Sequence, residues 1–588
     1  MSTKNDSKIE RMRHSSAHVM AIAIMEMFPD AKLAIGPTVE NGFYYDVDLP
    51  RTLIPEDLPL LEEKMKQVMK MDLPFDLYFE PKAKAVEFLK KINQPYKVEM
   101  AEGLDVAEIS FYKNGDLFVD MCEGPHVNRT SEIGAFKLTK IAGAYWRGDE
   151  KNKMLQRIYG VCFETQAELD QFLHQQEEAK KRDHRILGQK LKLFTTSALV
   201  GAGLPLLQPK GAIIRKELED YLWELHKHKG YLRVWTPHIA KEDLYVASGH
   251  AEKFGDELFR VRGKEEDFIM KPMNCPHHMQ IFGDNQFSYR DMPVRYFEPA
   301  TVYRDEKSGQ LSGLTRVRAL TQDDGHLFCR VGQISEEIKT IVAIIKSFYT
   351  TMGLMNNYWV RLSVRDDQKQ NYLGEDSVWE TAEGALREVC ESEQLPYKIG
   401  RGEAAFYGPK LDFMFKDAIG REWQLATIQC DFNLPARFNL EFTNESGQKE
   451  RPVVIHRAIS GSLERFMGIM IEHFAGAFPT WLAPVQVQLI PIAEKHHAAA
   501  FALAKQWQAL DIRVTVDERN ESLGKRVRDA EQEKIPYMLV MGDKEIELAS
   551  VAVRSFHSKQ QKVITCVEFE QQILTEIRTR ALSVAAAE

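Results

Sequence analysis

The sequence predicts an α+β chain of several domains, and three observations carry that reading. With 588 residues, and about 150 residues to a typical domain, there is room for roughly three to five domains. Through the middle of the chain, long strand-like runs follow one another across loops rather than helices, which favours an antiparallel sheet. From residue 483 onward the rhythm changes to strands alternating with helices, the pattern of a separate α/β domain.

Composition excludes several classes. Apolar residues make up 44% and charged residues 28%, which is ordinary globular usage without a low-complexity block. The opening "MSTKNDSKIE" has no apolar core of a signal peptide, and no apolar run approaches the ~20 residues that span a bilayer. The seven cysteines (Cys122, Cys162, Cys275, Cys329, Cys390, Cys430 and Cys566) are scattered and odd in number. They read as reduced thiols of a cytoplasmic protein, some of them free to ligate or react. A net charge of −9 neither selects nor excludes a nucleic-acid partner, because binding follows local patches rather than the sum.

In chain order, residues 1–164 mix short strands with helices. "YYDVDL" and "LFVDMC" alternate as strands, and "PEDLPLLEEKMKQVMKM" reads as an amphipathic helix after a proline start. Residues 165–194 carry apolar residues at three- and four-residue steps and predict one long connecting helix. Its "KKRDHR" patch reads either as a solvated face or as a phosphate contact. Residues 195–482 form the largest block, with the helix "GAIIRKELEDYLWELHKHKG" and the paired strands "MPVRYFEPATVYRDE" and "TRVRALTQDDGHLFC". Beyond the seam at "WLAPVQV", residues 483–588 supply the strands "VQVQLIPIA", "IRVTVD" and "PYMLVMGD".

Two groups of residues invite chemistry. In "RMRHSSAHVMA", His14 and His18 stand four apart and share a helix face. A zinc protease would place glutamate where this chain has Ser15. "DMCEGPHVN" repeats the spacing with Cys122 and His126. By themselves these four residues fit a metal site, a metal-free catalytic site or plain packing. The second group lies in the large block. Arg304 and Glu306 project from the first strand of "YRDEKSGQLSGLTRVRALTQDDGH"; Arg316, Gln322, Asp324 and His326 lie on or near the second, so alternate residues can face one cavity. "HRAISGSLERFMGIMIEHF" places Arg465 in the first turns of a helix, where a cation opposes the dipole and calls for an anion such as phosphate. "KPMNCPHHM" sets Cys275 beside His277 and His278.

Taken in this order, with "MNCP", "TQDDGH", "AFYGPKLDF" and "VIHRAISGS" around them, the residues resemble the class II aminoacyl-tRNA synthetases and, among these, the threonyl-tRNA synthetase family. The resemblance spans essentially the whole chain. Pro237 in "VWTPHI" is similar to the end of motif 1, which forms the dimer interface in the family. "VYRDE…RVRALTQ" is similar to motif 2 and "GSLERF" to motif 3. The resemblance implies a class II antiparallel-sheet catalytic core over 195–482, an editing domain over 1–164 and an anticodon-binding domain over 483–588. It implies a cytoplasmic homodimer that activates threonine with ATP and Mg²⁺ and transfers it to tRNA(Thr).

Arg304, Arg316 and Arg465 are then the catalytic and ATP-binding arginines. Glu306 would meet the adenine amino group, and Met273, Gln322, Asp324, Tyr407, Lys410, Gln424 and Gln429 would line the threonine and adenylate pocket. The family places one zinc ion per subunit on Cys275, His326 and His456, three ligands that leave a coordination position open. A site that binds the threonine hydroxyl can reject valine by about 10⁴–10⁵. Serine keeps the hydroxyl and loses one methyl, worth only ~1–3 kcal/mol, so a second, hydrolytic site is expected. In the family that site resembles "HSSAH" with "DMCEGPH", and His14, His18, Lys97, Asp120, Cys122 and His126 match it without a metal. Asn520, Arg528, Glu545 and Arg554 match positions that contact anticodon bases. Charge in that segment is nearly balanced, so recognition there rests on placed hydrogen bonds to splayed bases.

The sequence departs from the family in three places. The ubiquitin-like domain that commonly precedes the editing domain is expected to be missing. "RVRALTQ" puts Leu320 where an aromatic ring usually stacks on adenine. "NCPHH" puts His277 where the family has glycine. Two other readings compete: a regulatory RNA-binding paralogue, against which the retained arginines and ligands argue, and a ligase that charges a carrier protein, which would leave the anticodon domain without a purpose.

Overall fold

The computed structural model describes residues 7–373, 375–558 and 561–582. The chain divides into two compact units at Glu177/Glu178.

In the first unit the helix Lys8–Met27, capped by the Ser7 hydroxyl, is buried at every position from Ser15 to Ile24. Its small residues (Ser15, Ser16, Ala17, Ala21, Ala23) let neighbours close around it on all sides, as for a core helix rather than a surface one. It packs with Leu58–Lys70, the helix predicted from its proline start. One sheet runs Lys32–Leu33, Gly42–Asp48, Met154–Phe163, Ala135–Tyr145, with Thr38–Val39 on the second of these; another runs Asp76–Pro81, Glu108–Asn114, Phe118–Met121. Every pairing in this unit is antiparallel.

The single connecting helix expected over 165–194 is two helices, Gln166–Arg182 and His184–Lys190. Asp183 breaks them. Its backbone is extended (ψ 118°) and its carboxylate accepts the Arg185 N–H, a capping geometry that restarts a helix instead of continuing one. The "KKRDHR" patch therefore divides: Lys180 and Lys181 are exposed, and His184 is buried.

The second unit is built on an eight-stranded sheet in the order Tyr231–Arg233, Val294–Tyr303, Ala319–Cys329, Val453–Ser462, Glu422–Asp431, Lys410–Lys416, Tyr358–Val364, Tyr397–Arg401. Pairings are antiparallel except at the two edges. The helices Pro209–Lys227, Ile334–Thr351, Asp376–Ser392 and Leu463–His473 share one apolar core with it. Alternation along Ala319–Cys329 separates two roles. Leu327 joins that core, and Asp323 accepts the N–H groups of Ile459 and Ser460. Gln322, Asp324 and His326 occupy the other set of positions. The first strand ends at Tyr303 and the second begins at Ala319. Arg304, Glu306 and Arg316 thus sit on the connecting loop and not on the strands, as had been expected for the first two.

From residue 487 a mixed sheet follows. Val487–Pro491 lies parallel to both Val514–Val516 and Tyr537–Met541, and Ser550–Ser555 and Gln561–Thr565 complete it antiparallel. Among the described residues no helix is long and apolar enough to cross a membrane.

Candidate active site

A cavity of about 720 Å³ opens on the eight-stranded sheet. Met273, Arg304, Glu306, Arg316, Gln322, Asp324, Tyr407, Gln424, Gln429 and Arg465 line it, together with Cys275, His456 and Leu320. Lys410 and His326 are not part of this lining. Lys410 pairs with the fully buried Asp412 at 2.8 Å, and Asp412 also accepts from Gln424 at 2.7 Å.

The arginines are poised for anions. Arg304 has no carboxylate at salt-bridge distance among the described residues: one Nη donates to Met273 Sδ at 3.2 Å, its Nε is buried and unpartnered, and burial lowers its pKa. Arg465 follows Ser462, which caps the helix Leu463–His473 by accepting the Arg465 N–H. Its pKa is lowered by burial and then by the charge of Arg316, so two like charges face one cavity. Arg316 is paired with Glu306 at 2.8 Å.

Cys275, His326 and His456 bring one ligand atom each within 4.8 Å of one another, all three buried. Hydrogen bonding fixes which nitrogens are available. His278 gives its Nε2–H to Glu298 (2.9 Å), so its Nδ1 accepts from His326 Nδ1–H (2.8 Å), and His326 Nε2 is left bare and buried. His456 Nε2 lies 2.9 Å from Asp431, which leaves Nδ1 free. Carboxylates behind ligating imidazoles are the usual support of a metal centre. Burial pushes the His326 pKa well below its usual range and the Cys275 thiol well above, so His326 is a neutral ligand and the thiol becomes a thiolate only beside a cation. The residues present fit a tetrahedral divalent metal with one position open.

The N-terminal group also assembles, in the first unit. His14, His18, Cys122 and His126 bring ligand-type atoms within 4.8 Å of one another. His126 is stacked on Phe75 at 4.8 Å and on His14 at 4.2 Å. Hydrogen-bond roles give the cluster a direction. Ser15 Oγ accepts the Val127 N–H (3.1 Å) and lies 3.1 Å from His126 Nδ1, to which it can give its own proton. His126 Nε2–H then points to Cys122 Sγ (3.4 Å). The Pro125 carbonyl can only accept, so His14 carries a proton on Nδ1 (3.3 Å), and its Nε2 lies 3.3 Å from Cys122 Sγ. Burial holds His18 and His126 well below the usual imidazole range. Asp120 accepts from Tyr45 (2.6 Å) and Lys97 (2.8 Å) and lies 3.9 Å from His18.

In the C-terminal domain Asn520 and Arg528 are exposed, Glu545 accepts the Gly542 N–H at 2.9 Å, and Arg554 is paired with Glu531 at 2.6 Å. Several residues escape sequence reading. Ser15, noticed only for not being glutamate, directs His126. Asp412 had a signal, two positions from Lys410 on one strand. His278 had been singled out beside Cys275 without a role; Glu298 and Asp431 had no signal, because only the strand registers bring them behind the ligands.

Known protein families match three stretches of the chain. The tRNA synthetase class II core domain (G, H, P, S and T) matches residues 259–474, an anticodon binding domain matches 486–576, and the threonyl and alanyl tRNA synthetase second additional domain matches 109–159. Fold and cavity together define a class II aminoacyl-tRNA synthetase. A threonine–tRNA ligase of Gloeobacter violaceus is 48% identical over 557 residues, 93% of this chain and 89% of the relative. One from Dehalococcoides mccartyi is 46% identical over 583 residues, 99% of both chains. The chain belongs to the threonine–tRNA ligase family. Among solved structures, the RNA binding domain of threonyl-tRNA synthetase from Cryptosporidium parvum matches with a TM-score of 0.64 at 34% identity, over 67% of this chain and 98% of that one. A putative threonyl-tRNA synthetase from Aeropyrum pernix matches with 0.60 at 30%, over 68% and 96%.

Proposed function

We propose that the chain joins threonine to tRNA(Thr) through a threonyl-adenylate and hydrolyses seryl-tRNA(Thr) made in error. One observation carries the first half: the buried ligand set Cys275/His326/His456 borders the same cavity as Arg304, Arg316 and Arg465, of which only Arg316 has a carboxylate at salt-bridge distance among the described residues. Activation brings a carboxylate to the α-phosphate of ATP, and cations must spread the charge that results. Arg304 holds the α-phosphate and the threonine carboxylate, and Arg465 and Arg316 hold the outer phosphates with Mg²⁺. Turning Arg316 to phosphate releases Glu306 for the adenine amino group. Zinc bound by the three ligands would supply a Lewis-acidic position for the threonine hydroxyl. Met273, Gln322, Asp324, Tyr407, Lys410, Gln424 and Gln429 shape the pocket around it.

The second half rests on the directed cluster at His14, His18, Lys97, Asp120, Cys122 and His126. Neutral imidazoles there orient water onto an ester already activated at a ribose hydroxyl. The domains assigned are editing (1–164), connecting (165–194), catalytic (195–482) and anticodon-binding (483–588), the last through Asn520, Arg528, Glu545 and Arg554. A cytoplasmic homodimer fits the exposed Trp235 and Leu232 near Pro237, 75% and 58% accessible.

Threonine-dependent ATP–pyrophosphate exchange followed by tRNA charging tests the first half. Exchange with threonine and serine but not valine, with zinc at one per chain, is expected; equal use of valine would overturn it. For the second half, Cys122→Ala with His126→Ala should abolish hydrolysis of seryl-tRNA(Thr), and unchanged hydrolysis would refute it.

A further inference from the structure

We propose that His184, held by Glu472, is a positioning residue for the phosphate end of the activation site: it pins the loop that carries Arg316 to the helix that carries Arg465. This rests on the reading of those two arginines as phosphate ligands.

His184 opens the helix His184–Lys190 and is 4% exposed. Its Nδ1 lies 2.6 Å from Glu472 Oε1, and its backbone N–H donates to the same oxygen at 3.0 Å. A carboxylate accepts, so the ring proton sits on Nδ1. The bare Nε2 accepts the backbone N–H of Leu314 at 3.0 Å. Both ring nitrogens are therefore used, and the backbone amide cannot exchange roles.

Leu314 belongs to the turn that leads into Arg316. Ser312 N–H donates to Arg316 O, and the N–H groups of Thr315 and Arg316 donate to Ser312 O. The Leu314 side chain is fully buried in the main core. Gly313 has φ +51°, and a Cβ there would run into His184 Nε2. Gly468, on the same helix as Arg465, lies where any side chain would press on Leu314, Thr315 and His184. Turn, imidazole and helix are thus fitted to one another.

Such a strut has a physical purpose. Arg316 and Arg465 line one cavity and repel each other, so before ATP arrives the loop is pushed away from the helix. The ion pair with Glu306 restrains Arg316 but occupies the carboxylate assigned to adenine. Pinning Leu314 holds the turn without using either group. Glu472 reaches the other wall as well. Its second oxygen pairs with Arg421, which shares Asp417 with the indole N–H of Trp423, and Arg465 lies 5.7 Å from the centre of that ring. Asp183, His184 and Glu472 also have the donor types of a metal site. Here, however, Asp183 is engaged by Arg185 and both imidazole nitrogens by hydrogen bonds, so the cluster is complete as a strut.

The test compares His184→Ala and His184→Gln in the full-length protein by ATP–pyrophosphate exchange, with KM measured separately for ATP and threonine. A glutamine amide offers one donor and one acceptor at about the spacing of the ring nitrogens. His184→Ala should raise KM for ATP about tenfold, the scale of one buried hydrogen bond, and leave KM for threonine and hydrolysis of seryl-tRNA(Thr) unchanged. His184→Gln should recover most of the ATP affinity. The proposal is overturned if the two variants are equally impaired, if both KM values rise together, or if KM for ATP does not move. Should His184→Ala not accumulate as folded protein, Glu472→Gln takes its place, and an unchanged KM for ATP there is equally fatal. Arg316→Ala and Arg465→Ala run in parallel. If they too leave KM for ATP unchanged, the phosphate assignment fails; if they raise it while His184→Ala does not, only the strut falls.

Discussion

Removing one hydroxyl, Ser15→Ala, tests the direction of the hydrogen bonds through the N-terminal cluster. Ser15 Oγ is the acceptor for the Val127 N–H and, in the order to be tested, the donor to His126 Nδ1, and the residue is fully buried. The substitution therefore acts on two scales. An orphaned buried amide costs about 1–3 kcal/mol of stability. Loss of the donor removes about 0.5–1.5 kcal/mol of bias toward the tautomer with Nε2–H facing Cys122. At ~1.4 kcal/mol per factor of ten, that bias corresponds to a drop of about two- to tenfold in the competent tautomer. Hydrolysis of seryl-tRNA(Thr) should slow by that factor, and threonine activation, which uses the other unit, should not change. Single-turnover deacylation of purified seryl-tRNA(Thr) measures the first and pyrophosphate exchange the second. A normal deacylation rate in folded Ser15→Ala protein would mean that the cluster does not depend on the order Ser15–His126–Cys122–His14.

Three further outcomes are expected. Asp431 is buried and supports His456, so Asp431→Asn should weaken zinc binding by about 10- to 100-fold, the usual scale for such a partner, read by chelator competition; unaltered affinity would separate Asp431 from the metal site. Leu320 lines the cavity, and Leu320→Phe should lower KM for ATP, since aromatic stacking on a base is worth about 1–3 kcal/mol; no improvement would show that another group already covers the adenine. Burial holds His473 near a pKa of about 4, below the ~6.5 of the unfolded chain. As pH falls below ~6.5 the unfolded state takes up a proton that the native state refuses, so stability declines down to about pH 4, by at most ~3 kcal/mol from this residue. Urea unfolding across that interval should show a shallower decline in His473→Gln; identical slopes would contradict the assignment.

The frame of the fold was legible where periodicity was strong. The paired strands Val294–Tyr303 and Ala319–Cys329, the helix Pro209–Lys227 and the C-terminal alternation of strands and helices all stand close to where the sequence puts them. The connecting segment was misread because its apolar spacing continues through Asp183, whereas a cap hydrogen bond depends on one ψ angle that periodicity does not report. Arg304 and Glu306 were assigned to a strand because "VYRDE" prolongs the run, but the ladder ends at Tyr303. Of the site, charged and ligating residues could be named from motifs, and their supports could not. Asp431, Glu298 and His184 act across 25, 20 and 130 or more positions of chain, and local spacing carries no trace of such pairings.

Two constellations in this chain use the same side chains, imidazoles and one thiol, and the groups behind them make the difference. At Cys275, His326 and His456 the supports take proton-bearing nitrogens: Asp431 holds one end of His456, and Glu298, through His278, holds one end of His326. The opposite nitrogen of His326 is buried with a lone pair and no donor to satisfy it, a cost that a cation relieves. At His14, Cys122 and His126 the nitrogens that face the thiol lie within hydrogen-bond distance of it, in a chain that ends on a hydroxyl and a carbonyl, while Nδ1 of His18, the fourth member, is buried without a partner. A metal there would have to displace those protons and break the chain's direction. Under the proposed function the first set would recognise an oxygen by coordination and admit serine along with threonine. The second would move protons, which is what hydrolysing the resulting serine ester requires. The four-residue histidine spacing is common to metal and metal-free chemistry, and the hydrogen-bond partners of His14 and His126 are what favour the second in the N-terminal cluster.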